Sequence, residues 1–203
     1  MIIDLSEKSP TEIYYTLIQS IIPRPIAWVL SDNGNGTNNL APFSYFSGVS
    51  SKPPLVSISV GPKKPGHKKD TWRNIEERNN FVIHIAHEEM AEAVTASSAS
   101  LADGQSEIDH LGLETIPVEN WPLPRLKECR IALLCEKFAI HEIGKAPMGL
   151  IIGRVKAVYL DDTIVTTEND RLKIDAQKLN PLARLGGDDY ATLGNIITVK
   201  RPK

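Results

Sequence analysis

The sequence lacks several features, and each absence removes a class of protein. Its 203 residues contain no run of about 18 apolar residues, so we expect no membrane-spanning helix. The opening MIIDLSEKSP has neither the basic start nor the apolar centre of a signal peptide. Because CxxC, HExxH and spaced Cys/His sets do not occur, we expect no bound zinc or other metal. GxGxxG and GxxxxGKS/T are also missing, which excludes a Rossmann fingerprint and a P-loop.

Cysteine and net charge are both low. The two cysteines, Cys129 and Cys135, lie six residues apart in one predicted strand, too far apart for a disulfide. Reduced thiols indicate a cytoplasmic protein. The formal net charge of −2 gives no sign of a nucleic-acid or membrane partner. With 41% hydrophobic and 24% charged residues, the chain has the composition of one globular domain, which we expect to span residues 1–203.

Strand patterns dominate what is present. Two apolar runs flank the turn DNGNGTNN and predict a hairpin, and LVSISV alternates large apolar residues with Ser, as a strand with one buried face does. The six main predicted strands are 26–31, 40–50, 55–60, 81–86, 129–143 and 148–160, and the weaker candidates are 171–175 and 195–200.

Helical patterns are fewer. DTWRNIEER (70–78) has Asp70 or Thr71 as a candidate N-cap, and EEMAEAVTASSA (88–99) has helical spacing. A short helix is predicted within 106–113, and 10–21 is either a helix or the approach to the first strand. Neighbouring strands joined by short turns favour antiparallel pairing. We therefore expect a mainly β protein with flanking helices, in which six strands close as a small barrel.

The segment after the first turn is the first candidate site. It contains Asn39, Ala41, Pro42, Phe43, Ser44, Tyr45 and Phe46 and almost no charge. Since Pro42 cannot donate a ladder hydrogen bond, it belongs at an edge or a bulge, where neighbouring backbone groups stay unpaired. Such groups can bind the edge of a flat heteroaromatic ring, with Phe43, Tyr45 and Trp28 as apolar walls. The alternative is an ordinary hairpin with aromatic core residues.

The second candidate is the basic loop before the predicted helix 70–78. GPKKPGHKKDTWRNI (61–75) places Lys69, Asp70 and Thr71 at the start of that helix. Free N–H groups at a helix N-terminus attract a phosphate, and lysines and a hydroxyl strengthen such a site. The alternative is a solvated basic loop with an ordinary helix cap.

Two further segments are weaker candidates. His141 ends a predicted strand in FAIHEIGKAPMG, where an imidazole can donate to a ligand or stabilise an anion, or can simply be a polar residue at a strand end. The segment PLARLGGDDYATLG contains two adjacent glycines, and is a lid, a contact with a partner subunit or a flexible tail.

Together, these motifs resemble the flavin reductase-like family of FMN-binding split-barrel proteins. The resemblance is carried by PRPIAWVLS, NLAPFSYF, the KPPLVSISVG run, KKDTWRNI, HEIGKAPMGLIIGRVKAVYL and LNPLARLGGDDYATLG, in the expected order, from about Ile21 to about Gly194. It implies a six-stranded Greek-key split barrel and a homodimer with FMN at or near the dimer interface.

The resemblance also implies which residues contact the cofactor. Trp28, Val29, Leu30 and Ser31 and the segment from Asn39 to Phe46 would flank the ring and ribityl chain. Lys69, Asp70 and Thr71 would lie on the phosphate side, and His141 near the flavin. Replacing Lys69 or Thr71 with Ala is expected to weaken FMN retention more than folding.

Members of this family differ in activity. The leading hypothesis is an FMN-dependent oxidoreductase that uses NAD(P)H to reduce flavin or ferric complexes, with no catalytic side chain and with a partner oxygenase or another electron acceptor. The alternatives are an FMN-binding electron carrier or sensor without NAD(P)H turnover, and a β-barrel interaction module. A nucleic-acid role is disfavoured because the basic residues form one short loop.

Overall fold

The chain folds around one large antiparallel sheet. The computed structural model describes residues 1–64, 66–145, 147–168 and 170–202. In these residues seven strands join in the spatial order β2-β1-β5-β6-β7-β4-β3. The strands are β1 (Ala27–Asp32), β2 (Asn38–Phe43), β3 (Phe46–Ser51), β4 (Pro54–Val60), β5 (Asn80–Ile85), β6 (Ile131–Ile143) and β7 (Met148–Leu160).

The sheet has to curl into a barrel because its two outermost strands are consecutive in sequence. β2 and β3 lie at opposite edges, yet only Ser44 and Tyr45 separate them. The Ser59 N–H donates to the Tyr45 carbonyl at 3.0 Å and ties this connection to β4. The mainly β, antiparallel split barrel is thus confirmed. The predicted single strand 40–50 is instead two strands, because the chain leaves one edge of the sheet at Phe43 and joins the other at Phe46.

Helices and short ribbons surround the barrel. The helices are α1 (Pro10–Ser20), α2 (Asp70–Arg78), α3 (Ala91–Ala96), α4 (Glu107–Leu111) and α5 (Ala176–Leu179), with 3₁₀ turns at Leu5–Glu7, Glu88–Met90 and Asp162–Ile164. None of the helices in the described residues is long and apolar enough to cross a membrane. The short strands are Arg24–Pro25, Pro62–Lys64, His67–Lys68, Thr115–Ile116, Arg125–Leu126, Val165–Glu168, Arg171–Ile174, Ala183–Arg184 and Tyr190–Ala191.

Three sequence expectations need correction. The predicted strand 195–200 has no regular structure, because none of the described strands pairs with it. Cys129 precedes β6 rather than lying in it, although both cysteines are buried free thiols. The N-cap of α2 is Lys69, since Asp70 and Thr71 already have helical conformation, and no side chain caps the helix.

The barrel interior fixes the position of α2. Trp72 and Ile75 of α2 pack with Phe81 inside the barrel, and all three are buried. Glycines on β7 make room for the two large rings: a Cβ at Gly149 would lie 2.7 Å from the Trp72 ring, and one at Gly153 would collide with the Phe81 ring. Close packing of this kind tolerates little displacement, so the N-terminus of α2 is held rigidly.

A second core lies outside the barrel and covers the other face of β1. Trp28 and Leu30 pack there against Val94 of α3 and Ile108 of α4, and all are buried. The indole N–H of Trp28 donates to Ser97 Oγ at 2.9 Å. This core therefore anchors the segment that follows α3, which borders the candidate site.

Candidate functional site

A cleft with two lobes opens beside the N-terminus of α2. We call the first the polar lobe; residues 39, 41, 42, 63, 69–71, 97–101 and 107 line it. We call the second the apolar lobe; residues 10, 13, 14, 17, 18, 42–45, 59, 61, 69 and 148 line it. Pro42 and Lys69 border both lobes, so the two lobes adjoin at these residues.

Lys69 is the charged group at the junction of the lobes. The residue is solvent-accessible because the cleft is open, but the protein atoms crowded around its ammonium lower its pKa. The nitrogen lies 5.9 Å from the centre of the Phe43 ring. It makes no ion pair or hydrogen bond with the described residues. A partly desolvated cation without a counter-ion favours an anionic ligand.

The start of α2 adds backbone donors to this charge. The first N–H groups of any helix have no partner within the helix, and α2 has no side-chain cap that would occupy them. The α2 helix has nine residues, and its aligned peptide dipoles place positive potential at this end. Free N–H groups, a helix dipole and an ammonium are together an anion site of the kind that binds phosphate.

Asp70 is neutralised by its neighbours. Its carboxylate accepts from the Lys63 ammonium at 3.2 Å and is also paired with Arg73. The same ammonium donates to the Leu101 carbonyl at 2.8 Å, and to Asp103 at 2.6 Å. Asp70 and Lys63 therefore fasten the segment after α3 to the start of α2, and the Asp70 charge opposes a phosphate only weakly.

Thr71 belongs to a buried polar network. It is 1% exposed, and its hydroxyl oxygen accepts from Asn39 Nδ2 at 2.8 Å. Asn74 donates to Ser31 Oγ at 3.2 Å, which joins the end of β1 to the same helix. The sequence placed Thr71 at an exposed helix end, where an Ala would affect folding little. Because the residue is buried, Thr71→Ala leaves Asn39 short of an acceptor and costs about 1–3 kcal/mol of stability as well.

Two residues that line the apolar lobe also have backbone N–H groups that are free within the described part of the chain. Pro42 lies opposite Trp28 in an edge strand with regular pairing, so of the two predicted positions, an edge or a bulge, it occupies the edge. The chain then turns at Ser44 and Tyr45. No hydrogen bond among the described residues uses the N–H of either residue. The unpaired N–H groups predicted from the sequence are present, but they result from the crossing between sheet edges.

Several predicted contact residues lie behind or outside the cleft. The side chains of Trp28, Val29, Leu30 and Ser31 are fully buried, so they support the cleft from behind rather than line it. Phe46 lines a neighbouring hollow instead of either lobe. His141 is an exposed residue near the end of β6, opposite Leu150, and borders neither lobe. A role for His141 near the ligand stays a prediction.

Sequence reasoning missed two parts of the polar lobe. Ser97, Ser98 and Ser100 lie in the segment that Lys63 ties to α2, and the run TASSAS was read only as the end of a helix. Glu107 begins α4, is 8% exposed and accepts from the Leu40 N–H at 2.8 Å. Its burial, and secondarily the charge of Asp70, raise the pKa of Glu107. Among the described residues no group of three or more His, Cys, Asp or Glu could hold a metal ion.

The charge of Glu107 predicts how a substitution there changes the affinity for a phosphate. An ionised Glu107 repels a phosphate in the polar lobe, whereas a glutamine side chain would keep the size and the oxygen that accepts from Leu40. If the polar lobe holds the phosphate of FMN, as the resemblance implies, Glu107→Gln should tighten FMN binding roughly threefold to tenfold at pH 8, measured by quenching of FMN fluorescence. The gain should shrink as the pH falls, because wild-type Glu107 becomes neutral. The exposed Glu119 provides the control Glu119→Gln, and equal gains in both variants would contradict this role for Glu107.

The fold is that of a split-barrel protein, and among the described residues its cleft combines a free ammonium and free helix N–H groups with an adjoining apolar lobe. Residues 19–174 match the model of the flavin reductase like domain, and the chain belongs to that family. An uncharacterized protein of Halalkalibacterium halodurans is 37% identical over 198 residues, covering 96% of this chain and 93% of that protein.

Two solved structures extend the comparison. Nitrilotriacetate monooxygenase component B from Bacillus cereus is 36% identical with a TM-score of 0.90, and the match covers 98% of both chains. Pseudomonas fluorescens 2-nitrobenzoate 2-nitroreductase is 28% identical with a TM-score of 0.88, covering 100% of this chain and 96% of that one. The family and these neighbours support a flavin-related oxidoreductase.

Proposed function

We propose that this protein is an FMN-dependent oxidoreductase that takes its electrons from NADH or NADPH. The observation that carries the proposal is the Lys69 ammonium, which has no counter-ion among the described residues and lies at the uncapped start of α2 beside the apolar lobe. FMN combines a doubly charged phosphate, a polar chain and a flat ring. These parts match the polar lobe, the junction and the apolar lobe in that order.

The residues present fit this cofactor. Lys69, Thr71 and the free N–H groups of α2 would hold the phosphate, with Ser98 and Ser100 within the same lobe. When bound, FMN supplies the redox chemistry, since its ring accepts hydride from a nicotinamide. Asp70 orients the segment after α3 through Lys63 and would not touch the ring.

The chain's own groups would tune the ring electrostatically. The N–H groups of Ser44 and Tyr45 have no partner in the described residues and would donate to oxygen and nitrogen atoms at the ring edge. Pro42 and Phe43 would exclude water from one face. In this proposal no side chain acts as a nucleophile, and the protein contributes position and electrostatics.

A homodimer and a partner oxygenase belong to the same proposal. On α1 and just after it, Tyr14, Tyr15 and Ile21 are each more than half exposed, which is unusual for large apolar residues gathered beside a binding site. A second copy covering α1 would also close the apolar lobe. The relationship to a monooxygenase component B supports a partner oxygenase as the electron acceptor. A single domain over residues 1–203 and a cytoplasmic location stay predictions.

An anaerobic absorbance titration tests the proposed function. The protein, loaded with FMN and freed of excess, should show bands near roughly 370 and 450 nm that bleach on adding NADH or NADPH. Bands that persist with both nucleotides but bleach with dithionite would favour the electron carrier over the reductase. A colourless protein that fails to retain added FMN would refute the flavin proposal and leave the interaction module.

A further inference from the structure

A hollow separate from both lobes lies on the other side of the β2–β3 connection. Residues 21, 23–25, 44–47, 57 and 59 line it. Ser44, Tyr45 and Ser59 border both this hollow and the apolar lobe, so the two spaces are adjacent. The motif LVSISV explains the serines: Val56, Ile58 and Val60 point into the barrel and are buried, so Ser57 and Ser59 face outwards.

Arg24 adds a positive charge to the hydroxyl groups that line this hollow. The residue is only 4% exposed, and its Nη1 donates to the carbonyls of Ile18 and Ile21 at the end of α1. Its Nε donates to Ser44 Oγ at 3.2 Å. Both hydrogens of Nη2 have no partner among the described residues, although the residue lines the hollow. The side chain is thus held firmly and still offers free donors.

The charge of Arg24 is also uncompensated. No carboxylate in the described residues lies within ion-pair distance of it, and the carbonyls that it binds are neutral. Its cross-strand neighbour is a second arginine, Arg184, whose Nη1 is buried and likewise unpartnered in the described residues. Arg184 does not line the hollow, but buried charges are normally paired, so the unpaired charge of Arg24 itself indicates an anionic ligand.

The shape and charge of the hollow select the class of anion. Nε and Nη1 of Arg24 are already used, so Nη2 is the nitrogen left to donate to a ligand. Nη2 and the hydroxyl of Ser57, which lines the same hollow, can donate to the two oxygens of one carboxylate. No lysine of the described residues lines the hollow, whereas a lysine and the start of α2, which suit a phosphate, border the polar lobe. Tyr45 borders both the hollow and the apolar lobe and offers an aromatic face to a flat apolar group.

We propose that this hollow binds the carboxylate of a planar aromatic acid, with the aromatic part directed along Tyr45 towards the apolar lobe. Arg24 and Ser57 would hold the carboxylate, and Ser44 would keep the guanidinium oriented. This names a substrate class for the oxidoreductase proposed above, and to that extent rests on it. Carboxylate binding itself is a property of the hollow and does not require the flavin.

Calorimetric titration with benzoate and its neutral isostere benzamide tests the proposal. Benzoate should bind at least about tenfold more tightly than benzamide, because only the anion pairs with Arg24. Arg24→Lys keeps the charge but loses the Nη2 donor that Ser44 and the α1 carbonyls hold in position, and should weaken benzoate binding about tenfold. Ser57→Ala should weaken it about threefold. Ser51→Ala, on the exposed part of β3 and outside the hollow, is the matched control.

The proposal can be tested even if one variant does not fold or the protein binds no FMN. If Arg24→Lys fails to fold, Ser57→Ala and the benzoate–benzamide pair still decide. Equal binding of benzoate and benzamide, or unchanged binding in both variants, would overturn the proposal, as would inorganic phosphate displacing benzoate at equal concentration. Titrations run with and without FMN separate the two ideas: benzoate binding in a protein that retains no FMN would refute only the proposed function.

Discussion

Replacing Lys69 with Met is expected to weaken FMN binding by roughly 10–100-fold, because in the proposed function this cation pairs with the FMN phosphate in the polar lobe. Folding should change little. The ammonium has no partner among the described residues, and crowding by the protein already disfavours its charged form, as its lowered pKa indicates. The dissociation constant from FMN fluorescence quenching and the free energy of unfolding from urea titration measure the two effects separately.

A second lysine of the same loop provides the control. Lys64 is also exposed and makes no ion pair among the described residues, but it borders neither lobe. Lys64→Met removes the same charge from the protein, so any long-range effect on FMN should appear in both variants. Equal weakening in the two would show that Lys69 acts through net charge alone. Unchanged binding in Lys69→Met would make the phosphate assignment wrong.

The sequence revealed the parts of the site that are local. A strand followed by a basic loop and a helix was sufficient to select Lys69 and Thr71, because the donors at a helix start depend only on the helix itself. The uncharged segment 39–46 was selected in the same way, through Pro42 and the aromatic residues around it. Both segments border the cleft.

Features of the site that depend on tertiary contacts could not be predicted from the sequence. Glu107 and Ser97 border the polar lobe because α3 and α4 pack on the outer core. No local sequence pattern predicts this packing. Trp28 was expected to line the site, but its ring points into that outer core. An aromatic residue in a strand that is buried on both faces has no period-2 pattern to show which face it occupies.

The fold was predictable to a similar depth. A period-2 pattern located β4, apolar runs located other strands of the main sheet, and the bounds of α2 matched the prediction. The division of 40–50 into β2 and β3 was not predictable, since it depends on which edge each half joins. The apolar segment 195–200 has a strand pattern without a partner in the described part of the chain. β-propensity shows which segments can form a strand, but whether a segment pairs depends on the tertiary structure around it.

The buried His84 leads to the last prediction, which concerns stability. His84 is 0% exposed and lies in β5, where its Nδ1 donates to the Trp28 carbonyl at 3.1 Å and its Nε2 accepts from the Leu126 N–H at 2.9 Å. Protonation of Nε2 would place an N–H opposite the Leu126 N–H, and the hydrogen bond between them would be lost. Burial, with a smaller contribution from the charge of Arg125, lowers the pKa of His84 to about 4, against an ordinary value of 6.5.

Proton linkage gives the direction in which the free energy of unfolding changes with pH. The unfolded chain binds a proton at His84 below about pH 6.5, whereas the folded chain does so only near pH 4, so acid favours unfolding. The stabilisation is complete above pH 6.5 and is lost as the pH falls towards 4. We expect His84 to cost the protein about 2 kcal/mol between pH 7.5 and pH 5, approaching about 3 kcal/mol at still lower pH.

Carboxylates in ion pairs also lose stabilising interactions in acid, so the contribution of His84 has to be isolated. Urea unfolding of wild type and His84→Gln at pH 7.5 and pH 5, without added FMN, does this because Gln does not titrate. The variant should be less stable at pH 7.5, having lost a buried hydrogen bond, but should lose about 2 kcal/mol less than wild type on acidification. Parallel losses in the two proteins would mean that the folded and unfolded chains bind a proton at His84 equally well, and that its buried contacts with Trp28 and Leu126 do not oppose protonation.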